Sequence, residues 1–157
     1  MVKTSKVFNR QITLTDVDFK ISEVYKKTKE KLEELGYVLF EKEQSIKPTK
    51  YGEKLKFKFE AFREFDFFGK ADLKIFFTFT GLSRSKGLDH GNLNIAMEAT
   101  TTIDHKNRWG TTGFNSFLFS LYLIVKKNEL KKKYIIPTII QANQIYDAIK
   151  ASLDEYS

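Results

Sequence analysis

Glu53-Lys-Leu-Lys-Phe-Lys-Phe-Glu-Ala-Phe-Arg-Glu64 and Lys70-Ala-Asp-Leu-Lys-Ile-Phe-Phe-Thr-Phe-Thr80 decide the fold of this chain. Each alternates apolar and polar side chains with a period of two, as a strand with one buried face must. Setting Leu55, Phe57, Phe59 and Ala61 opposite Phe79, Phe77, Ile75 and Leu73 puts Glu60 across from Lys74 and Glu64 across from Lys70. Opposite charges facing each other favour a register by ~0.2–1 kcal/mol per pair. A slip of one residue would turn every side chain to the wrong face. Hydrophobicity and charge therefore choose the same antiparallel pairing.

The pattern extends both ways. Downstream, Leu93, Ile95, Met97 and Ala99 continue the apolar row, with Glu98 opposite Lys74. Upstream, the segment 37–46 is expected to set Phe40 against Phe59, Glu41 against Lys58 and Glu43 against Lys56. Lys42 and Gln44 then point at the apolar face, which marks them as candidate lining of a cavity that holds a polar group. The turns between these segments are read from 47–52, 65–69 and 81–92.

Before the sheet, Phe8, Ile12 and Leu14 predict a strand over about 6–14. Thr15 to Asp18 supply capping oxygens for a helix whose stripe is Val17, Ile21, Val24, Tyr25, Thr28, Leu32 and Leu35. Gly36 stands where a left-handed glycine ends a helix. After the sheet, Thr111, Thr112 and Asn115 offer caps for a helix over 114–125, and a basic connector from Lys126 to Lys133 leads to Pro137. Pro137 suits the first position of a last helix bearing Ile139, Ala142, Ile145, Tyr146, Ile149 and Leu153. The helix 114–125 is apolar nearly all round, so it is expected in the core or against a second copy of the chain.

The expected fold class is α+β: one domain over 1–157, an antiparallel meander sheet with helices packed on one face, in the order β-α-β-β-β-β-α-α. This layout is similar to the helix-grip architecture of small lipid- and ligand-binding proteins, an analogy of arrangement that carries no function.

Composition narrows the chemistry. The chain has 157 residues, no cysteine, 15 phenylalanines and a net charge of +7. Absence of cysteine removes thiol catalysis, disulfides and Cys-based zinc or iron–sulfur sites, and fits a cytoplasmic location. The N-terminal ten residues contain no apolar run, so no signal peptide is expected. The longest apolar stretch, 114–125, reaches only ~18 Å as a helix and cannot cross a hydrocarbon core of about 30 Å. The positive charge is spread along this basic protein, with +2, +2, +1 and +2 in the successive segments 1–36, 37–80, 81–112 and 113–157. Only four of its 27 basic residues are arginine, the residue best suited to bidentate phosphate contacts.

No phosphate loop, dinucleotide fingerprint, zinc-protease or nucleophile-elbow motif occurs. Ser83-Arg-Ser-Lys86 fits S-x-x-K by chance in a lysine-rich chain and sits in an expected loop. Asp89-His90 and Asp104-His105 cannot share a metal, because a strand between them separates them by on the order of 50 Å. These aspartates are expected to form turns with exposed histidines beside them. Glu98 is read as part of a solvated Glu60–Lys74–Glu98 ladder and not as a general base. No catalytic residue, metal or cofactor is expected.

Two ends of the sheet remain. One gathers Lys47, Lys50, Tyr51, Arg84, Lys86 and His90; of these Lys47, Lys50, Arg84 and Lys86, together with Lys131, Lys132 and Lys133, are the candidate anion-binding residues. The other gathers Phe65, Phe67, Phe68, His105, Arg108 and Trp109, candidate ligand-binding residues that otherwise cap the core. The favoured function is a non-catalytic binding domain, with an apolar cavity between the sheet and the C-terminal helices for a small molecule or partner segment. The alternatives are nucleic-acid or other polyanion binding through the basic loops, and homo-oligomerisation through 114–125.

Overall fold

The computed structural model describes residues 2–50, 52–110 and 112–154, apart from the side chains of Lys42 and Glu43. Thr111, read as a helix cap, and Tyr51 lie outside the described residues. Five strands form one antiparallel sheet in the order β1-β5-β4-β3-β2: β1 (Lys3–Phe19), β2 (Val38–Thr49), β3 (Gly52–Glu64), β4 (Gly69–Ser85) and β5 (Leu88–Ile103). Helix α1 (Ile21–Glu34) follows β1, and α2 (Gly113–Val125) follows β5. The chain then stays helical to its described end, through α3 (Lys127–Leu130), a π-helical turn over Lys131–Ile135 and α4 (Ile136–Asp154).

The register of β3, β4 and β5 is the one that charge and alternation select. Leu55 lies opposite Phe79, Phe57 opposite Phe77, Phe59 opposite Ile75 and Glu60 opposite Lys74. Lys74 in turn faces Glu98, and Met97 faces Ile75. The inner row is sealed: Phe59, Leu73, Ile75, Phe77, Phe79 and Met97 are each at most 1% exposed. Each such side chain contributes about 1.5–3 kcal/mol by leaving water. Phe57 and Phe77 stack with centroids 4.4 Å apart. Glu98 sits on the opposite, wet face, paired with Lys6 at 3.0 Å.

Strand β2 departs from expectation. A bulge at Lys42 sets two residues of this edge strand against one of β3. Phe40 therefore faces Glu60 instead of Phe59, and Glu41 faces Phe59 instead of Lys58. Phe40 points outward and stacks on Phe62 at 5.7 Å, while Glu41 turns to the helix-covered side. Beyond the bulge Gln44 faces Phe57, on the inner side as expected.

Helices α1 and α4 lie side by side on the inner face, α1 reaching β2 and α4 resting on β1 and β5. Strand β1 runs through the segment read as a helix start, so Val17 is a strand residue and α1 begins at Ile21. Its first amide is capped from afar, by Asp89 Oδ2 of β5 at 3.0 Å. The other end closes as the sequence suggests: Gly36 has φ +84°, its N–H bonds Glu33 O, and the Tyr37 N–H bonds Leu32 O. That double bond pattern is a Schellman closure.

The basic connector is not a loop. Pro137 sits inside a continuous helical run, where its ring would strike the Lys133 carbonyl in a regular α-helix. The π turn just before it widens the coil, with the Ile136 N–H reaching back to Lys131 O. Helix α2 is also placed differently from expectation. Only Phe119 is buried, and one whole side of the helix faces solvent.

Candidate functional site

The long loop expected over 81–92 is mostly strand. Beta-strands 4 and 5 continue past a bulge near Gly81 to a two-residue turn, Lys86-Gly87, whose φ values of 55° and 78° are those of a type I′ hairpin. Arg84 lies across from Asp89, and the hairpin tip carries Lys86 into solvent. Lys47 and Lys50 are exposed at the neighbouring β2–β3 tip, at the same end of the sheet. Lys131, Lys132 and Lys133 lie near the other end, where Lys133 Nζ pairs with Asp66 at 3.1 Å. The candidate anion-binding residues thus divide into two groups at opposite ends.

His90 is held, not loose. Its Nε2 bonds Asp16 Oδ1 at 2.6 Å and its Nδ1 bonds Asp18 Oδ1 at 2.7 Å. Asp16 has φ 56° at the β1 bulge, and its amide bonds Asn92 Oδ1, which aims its carboxylate at the ring. The hydrogen bond to Asp18, then that to Asp16, raises the His90 pKa above its ordinary value. Any stability it lends is present below about pH 6.5 and is lost as pH rises through the higher folded value. In an NMR titration His90 should titrate above the free imidazole. Asp18→Asn should lower its midpoint, and a midpoint indifferent to that change would refute the clamp.

At the other end the aromatic candidates do come together, as a second apolar cluster. Phe68, Ile103, Phe119, Leu130 and Tyr134 are its buried members, with Phe65 and Trp109 packed against them. Trp109 lies 5.5 Å from the Phe119 ring and 5.3 Å from Tyr122. Phe67 alone is exposed, beneath the Arg108 guanidinium at 4.7 Å. Contrary to expectation His105 is interior, its side chain 5% exposed and Nε2 bonded to Asp66 O at 3.0 Å. Asp104 does form the expected turn: with φ 56° it accepts the Arg108 and Trp109 amides on its carboxylate. Asp66 organises the neighbourhood, accepting from the amides of Phe68 and Gly69 and from the Tyr134 hydroxyl. These residues close the core's end.

Open concave space with an apolar lining lies elsewhere, and a larger but more polar and more open recess of about 630 Å³ adjoins it along Tyr37–Glu41. A groove of about 520 Å³ runs between α1 and the β2–β3 hairpin, not beneath the C-terminal helices. Leu55, Phe57, Lys58 and Phe59 of β3 line it from below, Ile21, Ser22 and Tyr25 form one wall, and Glu41 and Gln44 the other. Tyr25 meets the Phe59 ring edge-on at 5.2 Å. A shallower recess of about 350 Å³ shares Ile21 and Leu55 with the groove and leads toward Arg84 and Glu53.

The rim is polar and organised. Tyr25 donates its hydroxyl to Glu41 Oε1. That bond first, then burial and the nearby negative charge, pushes the phenol up to about 12, so it stays a donor at neutral pH. Gln44 adds an uncharged amide beside it. The side chain of Lys42 lies outside the described residues. Among the described residues no cluster of three or more His, Asp or Glu side chains is arranged to hold a metal. Gln44 was legible as a site residue, whereas Tyr25 and Glu41 were not: their meeting depends on the bulge, which alternation alone does not reveal. No protein-family model matches this chain, and no curated protein matches it.

Proposed function

We propose that this protein is a non-catalytic binding domain whose groove between α1 and the β2–β3 hairpin takes a mostly apolar ligand. The observation that carries the reading is an open volume of about 520 Å³ lined by Ile21, Tyr25, Leu55 and Phe57, within the range of small-molecule sites. Such sites pair an apolar bed with a few polar groups that orient the ligand. Here Glu41, bonded to Tyr25, and Gln44 fill that role as acceptors for a donor on the ligand. The recess that shares Ile21 and Leu55 extends the space for an elongated molecule.

Polyanion binding draws on less, because Lys47, Lys50, Arg84 and Lys86 sit far along the sheet from Lys131 and Lys132. The sheet's wet face offers Phe40, stacked on Phe62 at 5.7 Å, and Phe76, with Lys58 over its ring at 4.9 Å, but these rings lie among lysines and glutamates whose charges offset one another.

Titration with an environment-sensitive apolar fluorophore tests the groove directly. Ser22→Trp and Gln44→Trp, both at exposed positions, should fill it and weaken probe binding at least tenfold. Stability should change by no more than about 0.5 kcal/mol, as for other surface changes. Native mass spectrometry should in addition show a co-purified small molecule. No saturable binding by the unaltered protein, or equal binding by both variants, would sink the proposal.

A further inference from the structure

Helix α2 contains no charged residue, yet it stands at the surface. One side is anchored: Phe119 is buried, and Tyr122 rests on Phe68 and Trp109 at 5.9 and 5.3 Å. The other side presents Phe114, Phe117, Leu118, Leu121, Ile124 and Val125, between 36% and 77% exposed. At 3.6 residues per turn these six fall within an arc of roughly 120°, a single unbroken stripe down the helix. A contiguous apolar surface of this kind marks an interaction site.

Charge identifies the occupant. The chain leading into α2 carries Arg108 and Lys106, the latter paired with Glu64 at 3.7 Å, and the chain leaving it carries Lys126, Lys127, Lys131 and Lys132. Glu129 is the one acidic residue between 105 and 133, and it is occupied by Lys126 at 3.3 Å. A second copy of the chain suits this surface poorly. Two antiparallel α2 helices would bring Lys126 and Lys127 of each against the positively polarised start of the other, flanked by Arg108. Parallel helices would set the same lysines against one another. Like charges facing across an interface oppose association. A sheet of anionic headgroups over hydrocarbon, by contrast, complements both the basic rim and the apolar stripe.

We propose that α2 docks this protein on anionic lipid bilayers, its Phe114–Val125 stripe entering the headgroup–acyl boundary while the surrounding lysines meet lipid phosphates. The helix lies in the interface and does not cross, since 13 residues span only ~20 Å. Phe119 and Tyr122 keep it fixed to the body of the protein, so the stripe is presented without an ordering cost. The apolar contacts supply depth, and the lysines supply selectivity for negative charge.

Flotation of the full chain with vesicles is the test, using phosphatidylcholine alone and phosphatidylcholine mixed with phosphatidylglycerol. The protein should float with the mixed vesicles, and less with the neutral ones. Raising the salt should release it, because headgroup attraction fades within a Debye length of about 10 Å at 0.1 M. Lys127→Gln, Lys131→Gln and Lys132→Gln should each lower partitioning about fivefold, the equivalent of one lysine at a charged surface. Phe117→Asn with Ile124→Asn should abolish flotation while circular dichroism and the unfolding midpoint stay unchanged, since both side chains are already exposed. No flotation with anionic vesicles, or flotation that survives the Phe117 and Ile124 changes, overturns the assignment. So does a dimer in solution that those two changes dissolve while vesicles are ignored, which would make α2 a seam between copies.

Discussion

Gly69→Ala is expected to cost about 3 kcal/mol or more, a large effect for one methyl group. A Cβ on Gly69 would lie within 2.7 Å of three atoms of the Tyr134 ring, far inside van der Waals contact. Backbone conformation is not the cause, because Gly69 is absent from the positive-φ positions that need glycine. The obstacle is the ring. Tyr134 is 2% exposed, its hydroxyl is tied to Asp66 at 2.7 Å, and Phe65 and Phe68 lie about 6 Å away at 6.1 and 6.2 Å. Overpacking a fixed core usually costs about 1–3 kcal/mol, and more where nothing can yield. Urea unfolding of Gly69→Ala measures it. Tyr134→Leu, which opens the space, should make the pair of changes less damaging than their sum by at least ~0.5 kcal/mol. A Gly69→Ala protein within about 0.5 kcal/mol of the unaltered chain would show that the ring is free to move.

Asp66 should carry the second large effect, and it appears with acid. Partial burial works against its charge. The Gly69 amide, the Tyr134 hydroxyl, the Phe68 amide and the Lys133 ammonium together outweigh it and hold the carboxyl at about 2, below its ordinary 3.8. The unfolded chain therefore takes up this proton first as pH falls. The stabilisation is complete above about pH 4 and is lost progressively between pH 4 and pH 2. A shift of that size corresponds to about 2 kcal/mol. Asp66→Asn keeps an acceptor for the amides but removes the charge. It should be less stable than the unaltered protein at pH 7 by about 2 kcal/mol, and the difference should close as the pH approaches 2. Denaturant midpoints across that range decide the matter, and a gap constant from pH 7 to pH 2 would exclude the linkage.

Both effects centre on residues whose importance is invisible along the chain. Asp66 reads as an ordinary turn residue between phenylalanines, and Gly69 as the punctuation after it. Their roles come from Tyr134, more than sixty residues away, delivered by a helical run that looks like a basic connector. A local reading sees the three lysines of 131–133 as one charge cluster. All three are exposed, but packing brings Lys133 to Asp66 at 3.1 Å and so sets it apart from Lys131 and Lys132.

The groove follows the same division. Phe57 and Phe59 announce themselves as inward residues through strict alternation, and the same alternation sets Gln44 on that side. Alternation and periodicity put Tyr25 on a helix stripe and Glu41 in an outer ion pair. One inserted residue at Lys42 brought them together, because a bulge reverses which face an edge strand shows on either side of it.

What the order of residues settles unaided is therefore whatever is enforced between near neighbours: the pairing of β3, β4 and β5, the Schellman end of α1 at Gly36, the amphipathic last helix. There the burial of phenylalanines and the matching of Lys with Glu act together, and a wrong register loses both at once. Contacts between distant segments settled the remainder. Asp89 capping α1, two aspartates of β1 clamping His90, the bulge that opens the groove and the outward stripe of α2 depend on which surfaces meet. A periodicity states that a face is apolar, but only the assembled fold determines whether another part of the chain is there to cover it.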